Sequence, residues 1–156
     1  MGEFQIARST RVAADPADVQ ALVVDFHRWR SWSPWEDTDP GMERVYSGAE
    51  SGVGAAYAWS GNRKAGAGSM RIVEVTPTAV TVGLAFTRPM RAENTVVFGT
   101  EPVADGTLVT WTMQGVHAGL MGLLARFVPM EKLVAGDFEK GLAAMKTQLE
   151  AGVPEA

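Results

Sequence analysis

Asn94 and Asp137 are the polar side chains that the sequence sets among apolar neighbours, and any chemistry in the interior of this chain starts with them. Asn94 shares strand parity with Val96 and Phe98, and Asp137 lies on an apolar helical stripe between Val134 and Phe138. If buried, each needs a hydrogen-bond partner. A carboxyl in an apolar setting has a raised pKa suited to moving protons, and Asp137 or Tyr57 is the group for such work. An amide and an acid among aromatic rings can instead fix the polar atoms of a bound small molecule. The structural alternative for Asp137 is a carboxylate held by a neighbouring hydroxyl or indole N–H.

Other chemistries find little footing. His27 and His117 stand apart with no ligand spacing around them, so no metal is expected. No GxSxG elbow is present for nucleophilic catalysis. The glycines from Gly61 to Gly68 lie between strand patterns and lack the Walker spacing and a following helix, so they read as a hairpin turn and not as a phosphate loop. The acidic run Glu36, Asp37 and Asp39 lacks the glycine and distal glutamate of a calcium loop and reads as a solvated loop. No cofactor is implied.

Composition sets the outer limits. A chain of 156 residues, 46% hydrophobic and 21% charged, suits a single folded domain over 1–156. Its 14 Lys and Arg against 18 Asp and Glu leave a net charge of −4, which offers no footprint for nucleic acid. The absence of cysteine is compatible with a reducing compartment. The start MGEFQIARST lacks the apolar run of a secretory signal and has Ile6 where a myristoylation signal wants Ser or Thr. Arg126 and Pro129 interrupt the longest apolar stretch, Ala118 to Met130, which is too short for a membrane span of roughly 20 residues. A cytoplasmic protein, monomeric or homodimeric, is the expectation.

The elements that must position these groups alternate in a simple way. Phe4, Ile6, Thr10 and Val12 mark a first strand. Asp15 and Pro16 then open a short helix through Val19, Leu22, Val23 and Phe26, ending near His27. The stretch from Trp29 to Pro40, broken by two prolines, reads as a broken helical turn leading into a loop. Strands are expected at Met42–Ser47, Ala55–Ser60, Gly66–Thr76, Ala79–Thr87, Arg91–Glu101 and Thr107–Gly115, joined by short hairpin turns into a meander. From Met130, Leu133, Val134, Phe138, Leu142, Met145 and Leu149 recur at helical spacing and make a closing amphipathic helix, with Gly152 to Ala156 a frayed tail.

One strand parity collects Tyr57, Trp59, Met70, Ile72, Val82, Leu84, Phe86, Val96, Phe98, Val109, Trp111 and Met113, and the other is polar. The apolar face must meet the helix. Either it packs solidly, or a gap between curved sheet and helix leaves an apolar cavity with Asn94 and Asp137 as its polar groups. Trp29, Trp32 and Trp35 read as a clamp between the small helices and the sheet, with stacking on a planar ligand the alternative.

Asp25-Phe26 with Trp29, WSPWEDTDP at Trp32–Pro40, VGAAYAWSGNRKAGAGSM at Val53–Met70, VTWTM at Val109–Met113 and DFEKGLAAMK at Asp137–Lys146 resemble the START-like and polyketide-cyclase-like superfamily, SRPBCC, over essentially the whole chain. The resemblance implies an α+β helix-grip fold like that of the birch pollen allergen. A curved antiparallel sheet of about seven strands would wrap a long C-terminal helix, with two short helices after strand one. It also implies a deep pocket between sheet and helix, with Gly115 to Pro129 as its lid; the alternative is a packed apolar loop. Fold alone does not decide function in such a superfamily.

The leading expectation is a binder of a hydrophobic or aromatic, lipid- or polyketide-like small molecule. Its site comprises Tyr57, Trp59, Met70, Phe86, Asn94, Phe98, Trp111, Met113, Asp137, Phe138 and Leu142. A cyclase or dehydratase type of enzyme is the second reading, and a non-catalytic protein-interaction module the third.

Overall fold

In a computed structural model of the chain, residues 3–34, 41–62, 66–88, 91–116 and 130–151 are described. Seven antiparallel strands form one open sheet in the order β1-β7-β6-β5-β4-β3-β2. They are β1 (Glu3–Val12), β2 (Glu43–Gly48), β3 (Ala55–Ser60), β4 (Ala67–Thr76), β5 (Ala79–Arg88), β6 (Ala92–Val103) and β7 (Gly106–Val116). β2 through β7 make the expected meander, and β1 pairs with β7, placing Ile6 beside Met113 and Arg8 beside Trp111. The strand boundaries follow the apolar alternation closely, because one face is buried and a one-residue slip would turn every side chain over. Two register shifts between β4 and β5, at Ala67/Gly68 and Ile72/Glu74, add local bend and twist.

The segment after β1 departs from its expected form. Helix α1 (Pro16–Val23) ends before His27, and a separate 3-10 helix occupies Phe26–Ser31. The break has a clear cause in hydrogen bonding. The last carbonyls of a helix need donors, and here the indole N–H of Trp32 donates to Leu22 O at 3.1 Å and that of Trp29 to Val23 O at 2.8 Å. Asp25 then starts the next turn, its Oδ1 accepting the His27 backbone N–H at 3.0 Å. Asp15 does occupy the N-cap of α1, but its side chain makes no capping bond; its carbonyl takes the Asp18 and Val19 N–H groups instead.

Helix α2 (Met130–Ala151) runs beside β1 and over β7. Arg8 Nε meets Glu139 Oε1 at 3.3 Å, Lys146 Nζ donates to Arg11 O at 2.9 Å, and the Ala13 N–H donates to Glu150 Oε2 at 3.0 Å. Its apolar stripe buries Ala135, Phe138, Leu142 and Met145. Gly141 lets it come close, since a Cβ there would stand 2.7 Å from Trp111 Cζ3. No helix among the described residues is long and apolar enough to cross a membrane.

Candidate functional site

The inner face of the sheet is best followed as rungs, sets of side chains that register across neighbouring strands. One rung runs Val80, Phe98, Trp111 across β5, β6 and β7. Two residues further along the strands comes Ile72, Val82, Val96, Met113 and Ile6. The next is Tyr46, Tyr57, Met70, Leu84 and Asn94, and the last is Arg44, Trp59, Gly68, Phe86 and Ala92. At about 3.3 Å per residue, the first and last rungs lie about 20 Å apart.

Burial falls along that line. Phe98 and Val80 are fully buried and Trp111 is 1% exposed. Ile72 and Val82 remain fully buried, while Met113 and Met70 have 8% of their surface exposed. Asn94 and Tyr46 are half-buried, and so are Trp59, Phe86 and Arg44 on the last rung. All of these positions share one parity, so the change comes from what lies over them.

Aromatic packing closes the deep end. Trp111 stacks face to face on Phe138 of α2, with centroids 4.2 Å apart and planes 9° from parallel. Phe98 meets Trp29 and Trp32 at near right angles, each at 5.6 Å, and Trp32 meets Trp111 at 5.4 Å. Trp29 and Trp32 thus clamp the small helices to the sheet, as the sequence suggests; Trp35 lies outside the described residues. The candidates Phe98, Trp111, Phe138 and Leu142 belong to this packed end.

Tyr57, Trp59, Met70, Phe86, Asn94 and Met113 lie further along the same face. Tyr57 is buried beneath Phe26, whose ring is 5.8 Å away, and leads outward to Trp59 at 6.2 Å. Trp59 meets Phe86 edge-on at 5.7 Å and 89°. Met70, Met113 and Leu84 are buried on the same face, and Asn94 of β6 pairs with Leu84. Asp137 is half-buried on α2, one turn before Gly141 on the same side of the helix. The expected lid lies mostly outside the described residues, since β7 runs to Val116 and the segment 117–129 is not described.

Arg44 and Tyr46 are additions. Both lie on the inner face of β2 and are half-buried, and the Tyr46 ring is 5.2 Å from that of Tyr57. The alternation in ERVYSG is ambiguous, since the apolar Val45 takes the outward parity and is 60% exposed while the charged Arg44 takes the inward one, so the sequence did not single them out. The glycine run behaves as a hairpin, with Gly61 N–H donating to Gly66 O at 2.9 Å and Gly66 N–H to Asn62 O at 2.8 Å. Gly68, however, is inside β4 and belongs to the last rung. Among the described residues, no group of three or more His, Cys, Asp or Glu is placed to hold a metal ion. A groove of about 760 Å³ lies at the far end of the sheet, between α1, the β6–β7 turn and the end of α2; none of the candidates lines it.

Comparison with known proteins agrees with this architecture. Residues 3–150 match the family model described as polyketide cyclase / dehydrase and lipid transport. Among solved structures, the Aha1 dimer from Colwellia psychrerythraea is similar at 18% identity, with 97% of this chain and 99% of that one covered and a TM-score of 0.67. Protein CV1439 from Chromobacterium violaceum is similar at 14% identity, covering 97% and 98%, with a TM-score of 0.66. Ara h 8.0201 shares 12% identity over 97% of this chain and 100% of its own, with a TM-score of 0.62. No curated protein is similar enough to count as a match. With the family model spanning nearly the whole chain and a seven-stranded antiparallel sheet set against a C-terminal helix, the chain belongs to the polyketide cyclase / dehydrase and lipid transport family and has the helix-grip α+β fold of the SRPBCC superfamily.

Proposed function

We propose that this chain is a single-domain, cytoplasmic binding protein, monomeric or homodimeric, that holds a hydrophobic or aromatic small molecule at the open end of its inner sheet face. The observation that carries the reading is the partial exposure of Trp59, Phe86 and Asn94 on a face whose other end is sealed. A large aromatic pair left accessible inside the curve of a sheet, with a few polar groups at its margin, is the usual make-up of a small-ligand site. The family's description, which includes lipid transport, supports the same reading.

In this proposal Tyr57, Trp59, Met70, Phe86 and Met113 form the apolar wall, and Asn94 and Asp137 hold the ligand's polar atoms. Phe98, Trp111, Phe138 and Leu142 act behind that wall as its rigid support. The test is a thermal-shift and native mass-spectrometry screen with lipids, polyketides and flavonoid-like compounds. A stabilising ligand whose effect is lost in Trp59→Ala is the expected result. A screen in which no compound binds or stabilises the protein would reject the reading.

A further inference from the structure

We propose that β2 is a self-docking edge: two copies of this chain join antiparallel through residues 43–47, about a two-fold axis at Val45, and make one continuous sheet. The inference selects the homodimer from the two assembly states given above and does not depend on which ligand binds. The two margins of the sheet are built differently. β1 has α2 beside it, where Lys146 Nζ donates to Arg11 O at 2.9 Å and Arg8 Nε meets Glu139 Oε1 at 3.3 Å. β2 is the last strand at the other margin and pairs with β3 alone. An edge strand presents a row of backbone donors and acceptors that a further strand can take up.

The side chains of β2 select the partner and the register. Val45 points to the outer face and is 60% exposed, more than any other large apolar side chain among the described residues. A lone exposed valine is ordinary on a protein surface, but this one stands at the middle of the segment 43–47 on the sheet's margin. Antiparallel strands related by a two-fold axis through the sheet place residues of one parity opposite each other. Centred on Val45, the pairing sets Val45 against the partner's Val45 on the outer face and Glu43 against the partner's Ser47. On the inner face it sets Arg44 against the partner's Tyr46, a cation beside an aromatic ring. No like charges meet. Moving the axis back to Arg44 opposes it to the partner's Arg44, a like-charge pair that destabilises a sheet. Moving the axis on to Tyr46 opposes Val45 to the partner's Ser47 and leaves Glu43 with no opposite residue in the strand. Arg44 thus fixes the register, and Val45 supplies the apolar contact. The joined segment spans only about 17 Å, which places the contact among small interfaces and makes the dimer reversible and concentration-dependent.

The test exploits the absence of cysteine from the chain. A cysteine at position 45 faces its own copy at a Cα separation of about 4.5–5.5 Å, within the span of a disulfide. Val45→Cys should therefore cross-link to a dimer under mild oxidation at least about tenfold faster than Glu43→Cys or Ser47→Cys, which the two-fold carries roughly 13 Å from their own copies. It should equally outpace Val53→Cys, a site of similar exposure away from β2. Sedimentation velocity of the wild type should show a dimer growing in over about 10–500 µM. Val45→Lys, which opposes two ammonium groups at an exposed site, should weaken self-association at least about tenfold and leave the melting temperature of dilute protein within about 2 °C. A wild type that stays monomeric over this range, equal cross-linking at position 45 and the three comparison positions, or undiminished association of Val45→Lys each overturns the inference. None of these results bears on the small-molecule screen, so the binding function stands or falls separately.

Discussion

The deep and open ends of the inner face are built from the same kinds of residue at the same parity, yet one is fully buried and the other only partly. At the deep end, Phe98 and Trp111 lie under Trp29, Trp32 and Phe138 and lose essentially all contact with solvent. At the open end, Trp59 and Phe86 touch each other at right angles and remain partly exposed. Alternation decides which way a side chain points, and the layer above decides whether it becomes core or wall. The tryptophan clamp therefore buries one end of the face fully and leaves the other partly exposed.

The sharpest way to break that contrast is to truncate one ring at each end. Phe138→Ala should destabilise the fold by about 3–5 kcal/mol in chemical denaturation, because it empties a stacked, fully buried site. Phe86→Ala should cost less, about 1–2 kcal/mol, since that ring is only partly buried. Equal costs would mean the open end is as tightly packed as the deep one. Gly141→Ala comes next. Alanine favours a helix interior by about 1 kcal/mol over glycine, but its methyl would collide with Trp111, so we expect a net loss of about 1–3 kcal/mol, measured as a lower melting temperature.

Asn94→Leu sharpens the comparison from the other side. At a half-exposed position it should shift stability by less than about 1 kcal/mol, while weakening ligands that offer a hydrogen-bonding group, as a titration with matched neutral analogues would read. The smallest effect is expected at Glu150. The hydrogen bond from Lys146, and then that from the Ala13 backbone N–H, hold its carboxyl below the ordinary value of 4.5. A depressed folded pKa stabilises above the unfolded value and stops doing so as the pH falls through the folded one. Glu150→Gln should thus be slightly less stable than the wild type near neutrality and indistinguishable from it in acid; a difference that persists in acid would exclude this electrostatic tie.

The residues explain why some of this was legible beforehand. Tyr57, Trp59, Met70, Phe86, Asn94, Phe98, Trp111 and Met113 fall on one face because alternation with period two is a local property of the chain. The division of that face into two ends was not legible, because it depends on Phe26, Trp29 and Trp32 folding back from a distant segment. The early stop of α1 was hidden for a related reason: the donors that satisfy Leu22 and Val23 are indole N–H groups, not backbone. Gly68 was masked by its company, since a run rich in glycine signals a turn and only the indole above it shows what the missing side chain accommodates.

The pairing of the first strand with the last has a consequence for how the molecule is made. Ser9 Oγ and Thr110 Oγ1 lie 2.8 Å apart although 101 positions separate them along the chain. Closing so long a loop is entropically costly and is repaid only after β7 exists. During synthesis β1 therefore has no strand to pair with until the other six have been made, and the sheet can gain that edge only once β7 is available.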